Sequence, residues 1–154
     1  MNRRGFSLVE LMTVVALMGL LATIALPKYQ MFRKKAVAAE IVAAMNAVRA
    51  GAYQFNETAG AWPPSAALGA VPTGLAGYLP GGGTNLFQAS DYQLAWFALR
   101  IIGFGSTGIQ LIYAYVPDGV TCQSVYGLWG GAGNRDLLNL CGGGGGFVFL
   151  WVDR

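Results

Sequence analysis

Between Leu11 and Leu26 the chain carries no charged side chain. As a helix rising 1.5 Å per residue, that run spans roughly 24 Å, and Phe6 to Pro27 spans roughly 33 Å, against a bilayer core about 30 Å thick. A single carboxylate, Glu10, stands at its start, preceded by Arg3-Arg4-Gly5-Phe6-Ser7-Leu8-Val9. Placing an ionised carboxylate inside a bilayer costs roughly 2.5–3.5 kcal/mol or more, so such a group usually has a partner or a task. A cut between Gly5 and Phe6 would create a partner, the free α-amine of Phe6. Residues four apart share a helix face, and side chains lean toward the N-terminus, so Glu10 can neutralise that amine. The helix dipole favours a carboxylate at the same end. The amine can belong to the same chain or to a neighbouring helix packed at an axial offset. In the second case Glu10 sets the register between chains.

Gly5-Phe6-Ser7-Leu8-Val9-Glu10-Leu11 resembles the prepilin cleavage and methylation motif of the type IV pilin superfamily. That superfamily includes type IV pilins, the pseudopilins of type II secretion and competence pilins. The likeness covers about Arg3 to Gln30, with Pro27 at the family's usual kink position. It implies that residues 1–5 are a leader, that a prepilin peptidase cuts after Gly5, and that the same enzyme N-methylates Phe6. It implies a docking role for Glu10 in a growing filament. The partners implied are identical or related pilin subunits, the peptidase, an inner-membrane assembly platform, and membrane lipid before assembly. The precursor would sit in a bacterial inner membrane with its leader cytoplasmic and its head periplasmic. The mature chain would end in an extracellular pilus or a periplasmic pseudopilus. The rival for this N-terminus is an ordinary secretory signal cut near Thr23-Ile24-Ala25. Pro27 spoils that site, and Glu10 is left unexplained.

Charge raises a conflict over orientation. Lys28, Arg33, Lys34 and Lys35 follow the apolar run, whereas Arg3 and Arg4 precede it. The positive-inside rule alone would put the C-terminal side in the cytoplasm, but long domains translocate largely regardless of charge. Cys122 and Cys141 point outward too: a disulfide persists outside the reducing cytoplasm, although two buried free thiols are the alternative. Many pilins carry a C-terminal disulfide-bounded loop, and the placement here is similar. Of 10 basic and 7 acidic side chains, Arg3 and Arg4 would leave with the leader. The remaining balance gives little electrostatic grip on nucleic acid. Beyond the helix only Arg100, Arg135 and Arg154 are basic, which argues against a DNA-binding strip.

The expected fold is α+β: a long N-terminal helix on a roughly four-stranded antiparallel sheet. Residues 6–27 would be the transmembrane or filament-core helix and residues 28–58 its amphipathic continuation, roughly 80 Å in all. Val37, Ile41, Met45, Val48, Ala52 and Phe55 form the stripe that packs on the protein's own sheet. Pro27, lacking an amide proton, should kink the helix or melt it locally. Residues 59–154 would be the globular head. Gly60-Ala61-Trp62-Pro63-Pro64 ends the helix, and Ser65–Leu68 can start a short helical turn. Tyr92–Ile102, Ile109–Val116, Val120–Leu128 and Phe147–Val152 read as strands. Along the first, Leu94, Trp96 and Ala98 face one way and Ala95, Phe97 and Leu99 the other, so both sheet faces want cover. Asp118-Gly119 reads as a turn. Gly142–Gly146 reads as a flexible connector or a close backbone approach, not a phosphate loop, because no Lys-Ser/Thr follows.

With His at 0, the commonest general base and the histidine metal sites are absent. Asp91, Asp118, Asp136 and Asp153 lack calcium-loop spacing. Trp62, Trp96, Trp129 and Trp151 fit core and interface packing better than an adhesive surface. No cofactor, metal or catalytic residue is expected, and an enzyme is the least favoured class. The expected function is a structural subunit of a type IV pilus-like filament. The alternatives are a type II secretion pseudopilin and a minor pilin for adhesion or DNA uptake.

Overall fold

The structure is a computed structural model and describes residues 7–99, 109–130 and 137–153. The chain divides into two compact units, Met1–Arg33 and Lys34–Arg154. Helix α1 (Leu8–Ala59) belongs to the first unit over its N-terminal part and to the second over the rest. It continues through Pro27.

In the second unit the expected stripe is buried. Ile41, Met45, Val48 and Ala52 are 0% exposed, with Val37 and Phe55 half-buried beside them. Small residues let other segments approach this face. A Cβ at Gly51 would come to 2.7 Å from Leu79 Cδ2 and 3.0 Å from the Tyr78 carbonyl oxygen. The helix stops at Gly60, whose φ of +68° suits glycine and whose N–H donates to the Asn56 carbonyl at 2.8 Å.

No helical turn forms at Ser65–Leu68. The short turns lie later, at Leu75–Tyr78, Pro80–Gly83 and α2 (Thr84–Phe87). Residues 63–69 instead run beside strand β1 (Gln93–Leu99) and satisfy its open edge. Ala66 N–H donates to the Trp96 carbonyl at 3.0 Å, and Gly69 N–H to the Leu94 carbonyl at 2.8 Å. Ala98 N–H donates to Ser65 Oγ at 2.9 Å, and Trp96 Nε1 to the Pro63 carbonyl at 2.9 Å. Pro64 biases Pro63 toward extended backbone, which favours this edge-lining path over a helix.

Among the described residues the sheet has four antiparallel strands in the order β1-β2-β4-β3, with β2 at Ile109–Val116, β3 at Leu137–Gly142 and β4 at Gly145–Asp153. Leu94 and Trp96 of β1, Ile112, Ala114 and Val116 of β2, and Val148, Leu150 and Val152 of β4 join the α1 stripe in one core. Residues 100–102, expected to extend the first strand, lie outside the described residues.

One expected strand is a helix. Val120–Leu128 forms most of α3 (Gly119–Leu128). Asp118 caps it, accepting from Thr121 N–H at 2.8 Å and Thr121 Oγ1 at 2.6 Å. Thr121, Cys122 and Val125 are its buried residues, a helical spacing that the β-branched composition masks. The fourth strand is β3, joined to β4 by Gly143-Gly144 with Gly142 paired to Gly145. The glycine run is therefore both a tight hairpin and a close approach. A Cβ at Gly119 would collide with the Gly142 carbonyl. Gly145, at φ +109°, would meet the Val116 and Pro117 carbonyls.

Candidate functional site

Gly5 and Phe6, the expected cleavage and methylation positions, lie outside the described residues. The Ser7 N–H donates to Glu10 Oε2 at 3.3 Å. Leu11 N–H closes the first turn onto the Ser7 carbonyl at 3.2 Å. Ser7 and Glu10 thus have the spacing of a capping box, in which a carboxylate reaches back to an unsatisfied N-terminal N–H. The Ser-x-x-Glu pattern was there to be read and offers Glu10 a structural task beside its expected one. It also aims the carboxylate backward along the chain, at the residue that follows Phe6 in sequence.

From Leu11 to Leu26 the helix is apolar on every side and exposed on every side. Leu8 is 74% exposed, and Leu11, Met12, Val15, Leu17, Met18, Leu20, Leu21, Ile24 and Leu26 are all exposed. The helix is long and apolar enough to cross a membrane, and its most apolar window is 0% buried. Thr13 and Thr23 remove their own polar cost by donating to the Glu10 and Leu20 carbonyls at 2.9 and 2.7 Å. Pro27 lies inside the helix, followed by exposed Lys28, Tyr29, Phe32 and Arg33. A helix apolar all round must be buried by lipid or by other helices.

In the second unit, Cys122 and Cys141 form a disulfide, Cα–Cα 5.8 Å, which ties α3 to β3. Lys34 Nζ donates to Asp118 Oδ1 at 2.8 Å. That bond, with help from Thr121, holds the Asp118 carboxyl down at about 2 instead of 3.8. The sequence reading missed this role because Asp118-Gly119 also suits a turn; the usable signal was an Asp three residues before Thr121.

The sheet face away from the core is aromatic and only partly covered. Tyr113, Tyr115, Phe147 and Phe149 form a ring cluster with centroids as close as 5.1 Å for Tyr115–Phe147. Phe97 and Leu140 are exposed. A concavity of about 570 Å³ beside α3 is lined by Val120, Gln123, Ser124 and Gly142 among others. Among the described residues no cluster of His, Cys, Asp or Glu could hold a metal ion.

Residues 1–26 match the family model described as the prokaryotic N-terminal methylation motif. The chain is 32% identical over 78 residues to the Type IV major pilin protein PilE1 of Neisseria gonorrhoeae, covering 49% of this chain and 47% of that protein. It is 32% identical over 71 residues to a fimbrial protein of Neisseria meningitidis serogroup B, 46% and 42% of the two chains. With the Type IV major alpha-pilin of Moraxella bovis it shares 43% over 56 residues, 34% and 35% of the two. The chain spans less than half the length of these curated relatives. No solved structure matches.

Proposed function

Since the chain belongs to the type IV pilin superfamily, we propose that it is a structural subunit of a type IV pilus-like filament, made as a membrane-anchored precursor. Residues 1–5 are the leader, cut between Gly5 and Phe6 by a prepilin peptidase that also N-methylates Phe6. Residues 6–27 hold the precursor in the inner membrane and later line the filament core. Residues 28–58 continue the helix into the head, residues 59–154. Pro27, with no N–H to give the helix ladder, serves as a hinge when the subunit leaves the bilayer.

One observation carries this reading: an apolar helix left uncovered along its whole first unit, with Glu10 as its one carboxylate and that carboxylate turned toward the N-terminus. Filament packing hides the apolar surface. It also gives Glu10 a cation, the Phe6 amine of an adjacent subunit, which removes the cost of a lone buried charge. The inner-membrane assembly platform is the partner that this route requires.

Mass analysis of the mature N-terminus together with electron microscopy of sheared cells tests the proposal. The expected mature chain starts at methylated Phe6 and forms long fibres. Glu10→Ala should be inserted and cleaved normally yet fail to enter filaments; normal fibre yield from that variant would refute the docking role. A short filament needed for enzyme export, in place of long fibres, would assign the chain to the pseudopilins of type II secretion.

A further inference from the structure

The basic residues after the apolar run are left without a task by the assembly reading. They run against the charge rule for orientation, and the structure separates them. Lys34 is taken, bound to Asp118 at 2.8 Å. Lys35 is exposed in the second unit; Lys28 and Arg33, in the first, are exposed and, among the described residues, have no acceptor. Between them on the helix stand Tyr29 and Phe32, each 68% exposed. At about 100° per residue, Lys28, Phe32, Tyr29 and Arg33 fall in that order across an arc of about 140°. Two aromatic rings are thus flanked by two cations on one face of the helix.

Position gives this face its meaning. Leu8–Pro27 rises about 30 Å, the thickness of a hydrocarbon core, so Lys28 is the first side chain to reach the headgroups. A Tyr ring, with its apolar body and polar tip, settles at that level, a Phe ring lies at the acyl border beneath it, and Lys and Arg stems extend along them to place charge at the phosphates. A protein partner would need carboxylates aimed at the same depth. A bilayer presents phosphates at that depth all round the helix.

We propose that Lys28, Tyr29, Phe32 and Arg33 form a headgroup site that selects anionic phospholipid around the precursor helix. The inference rests on the membrane-anchored reading above. Each basic residue near an anionic surface adds attraction that salt weakens. The site gives the head-side cations a counter-ion before assembly. It also makes release into a filament depend on giving up bound lipid, so a membrane richer in anionic lipid should hold the subunit longer.

The test is lipid selectivity of the full chain in phosphatidylcholine vesicles, read by electron paramagnetic resonance with spin-labelled phosphatidylglycerol or spin-labelled phosphatidylcholine. The motionally restricted fraction should favour phosphatidylglycerol several-fold at low salt, and the preference should shrink as salt rises. In the Lys28→Gln/Arg33→Gln double variant the ratio should fall most of the way toward one, with exposed Lys35 carrying what remains. Lys34→Gln should leave the ratio unchanged, because that cation already has Asp118. Equal restriction of both lipids by the unmodified chain would overturn the proposal, as would a Lys34→Gln loss equal to that of the double variant. Alkaline extraction is run in parallel. A chain released from the vesicles would overturn the membrane-anchored reading itself, whereas an integral chain without headgroup preference would overturn only the lipid site.

Discussion

Lys34 Nζ lies 2.8 Å from Asp118 Oδ1, joining the start of the second unit's stretch of α1 to the cap of α3 across a separation of 84 residues. Asp118 also accepts from both the N–H and the hydroxyl of Thr121. The cap matters more than the ion pair. The two side chains are 39% and 40% exposed, and an exposed pair contributes about 1 kcal/mol at most. Asp118→Ala should cost about 1 kcal/mol or somewhat more, Lys34→Ala less, and Asp118→Asn little, as chemical denaturation at neutral pH would show.

The same carboxyl sets an acid dependence. Its value is about 2 in the folded chain against 3.8 ordinarily. A lowered value means that the folded form binds its proton less readily than the unfolded chain. The stabilisation is complete above about pH 4 and fades as pH falls toward about 2. Solvent screening keeps its size small. In Asp118→Asn the fall in melting temperature over that window should be shallower than in the unmodified protein.

Tyr92 gives the alkaline counterpart. Burial, with the Glu40 charge adding to it, pushes the phenol from 10.0 up to about 12. The folded chain holds that proton more tightly than the unfolded chain. The contribution is therefore complete below about pH 10 and disappears as pH rises through about 12. Absorbance titration of tyrosinate should show a last-titrating ring, and Tyr92→Phe should remove that step.

Two glycines near the hairpin should respond in opposite ways. Gly119→Ala pushes a methyl into the backbone carbonyl of Gly142, where neither side can yield easily, and should cost more than about 1 kcal/mol. Gly143→Ala, with nothing within 4 Å, should stay within about 0.5 kcal/mol of the parent. Melting curves of the two variants check this packing of α3 against the β3–β4 turn.

Opening the Cys122–Cys141 bond, across a separation of 19, should cost about 3 kcal/mol in the chain-entropy account. Cys122 is fully buried, so the Cys122→Ala/Cys141→Ala pair is the cleaner comparison. A thermal midpoint unchanged by reductant would contradict this.

What could be read from the residues alone follows from how much each signal depends on distant partners. The α1 stripe and the strand Ile109–Val116 were legible because a period of 3.6 or 2 is written in neighbouring residues. β2 alternates between half-buried and buried positions along its whole length. Val120–Leu128 misled because Val and Thr favour strands on composition, while Asp118, one cap, decided for helix. β3 was missed because Leu137–Gly142 is held by its pairing with β4, and the glycines from Gly142 onward say turn before they say strand. At the candidate site, the motif residues and the uncovered apolar helix were evident from chemistry. The Lys34–Asp118 pair was not, because only the fold brings two such distant positions together.

Residues 63–69 occupy the hydrogen-bonding groups along the outer side of β1, including the Leu94 and Trp96 carbonyls. A foreign strand cannot dock on that side without first peeling this segment away. Concentrated protein is thereby steered away from amyloid-like stacking at that border.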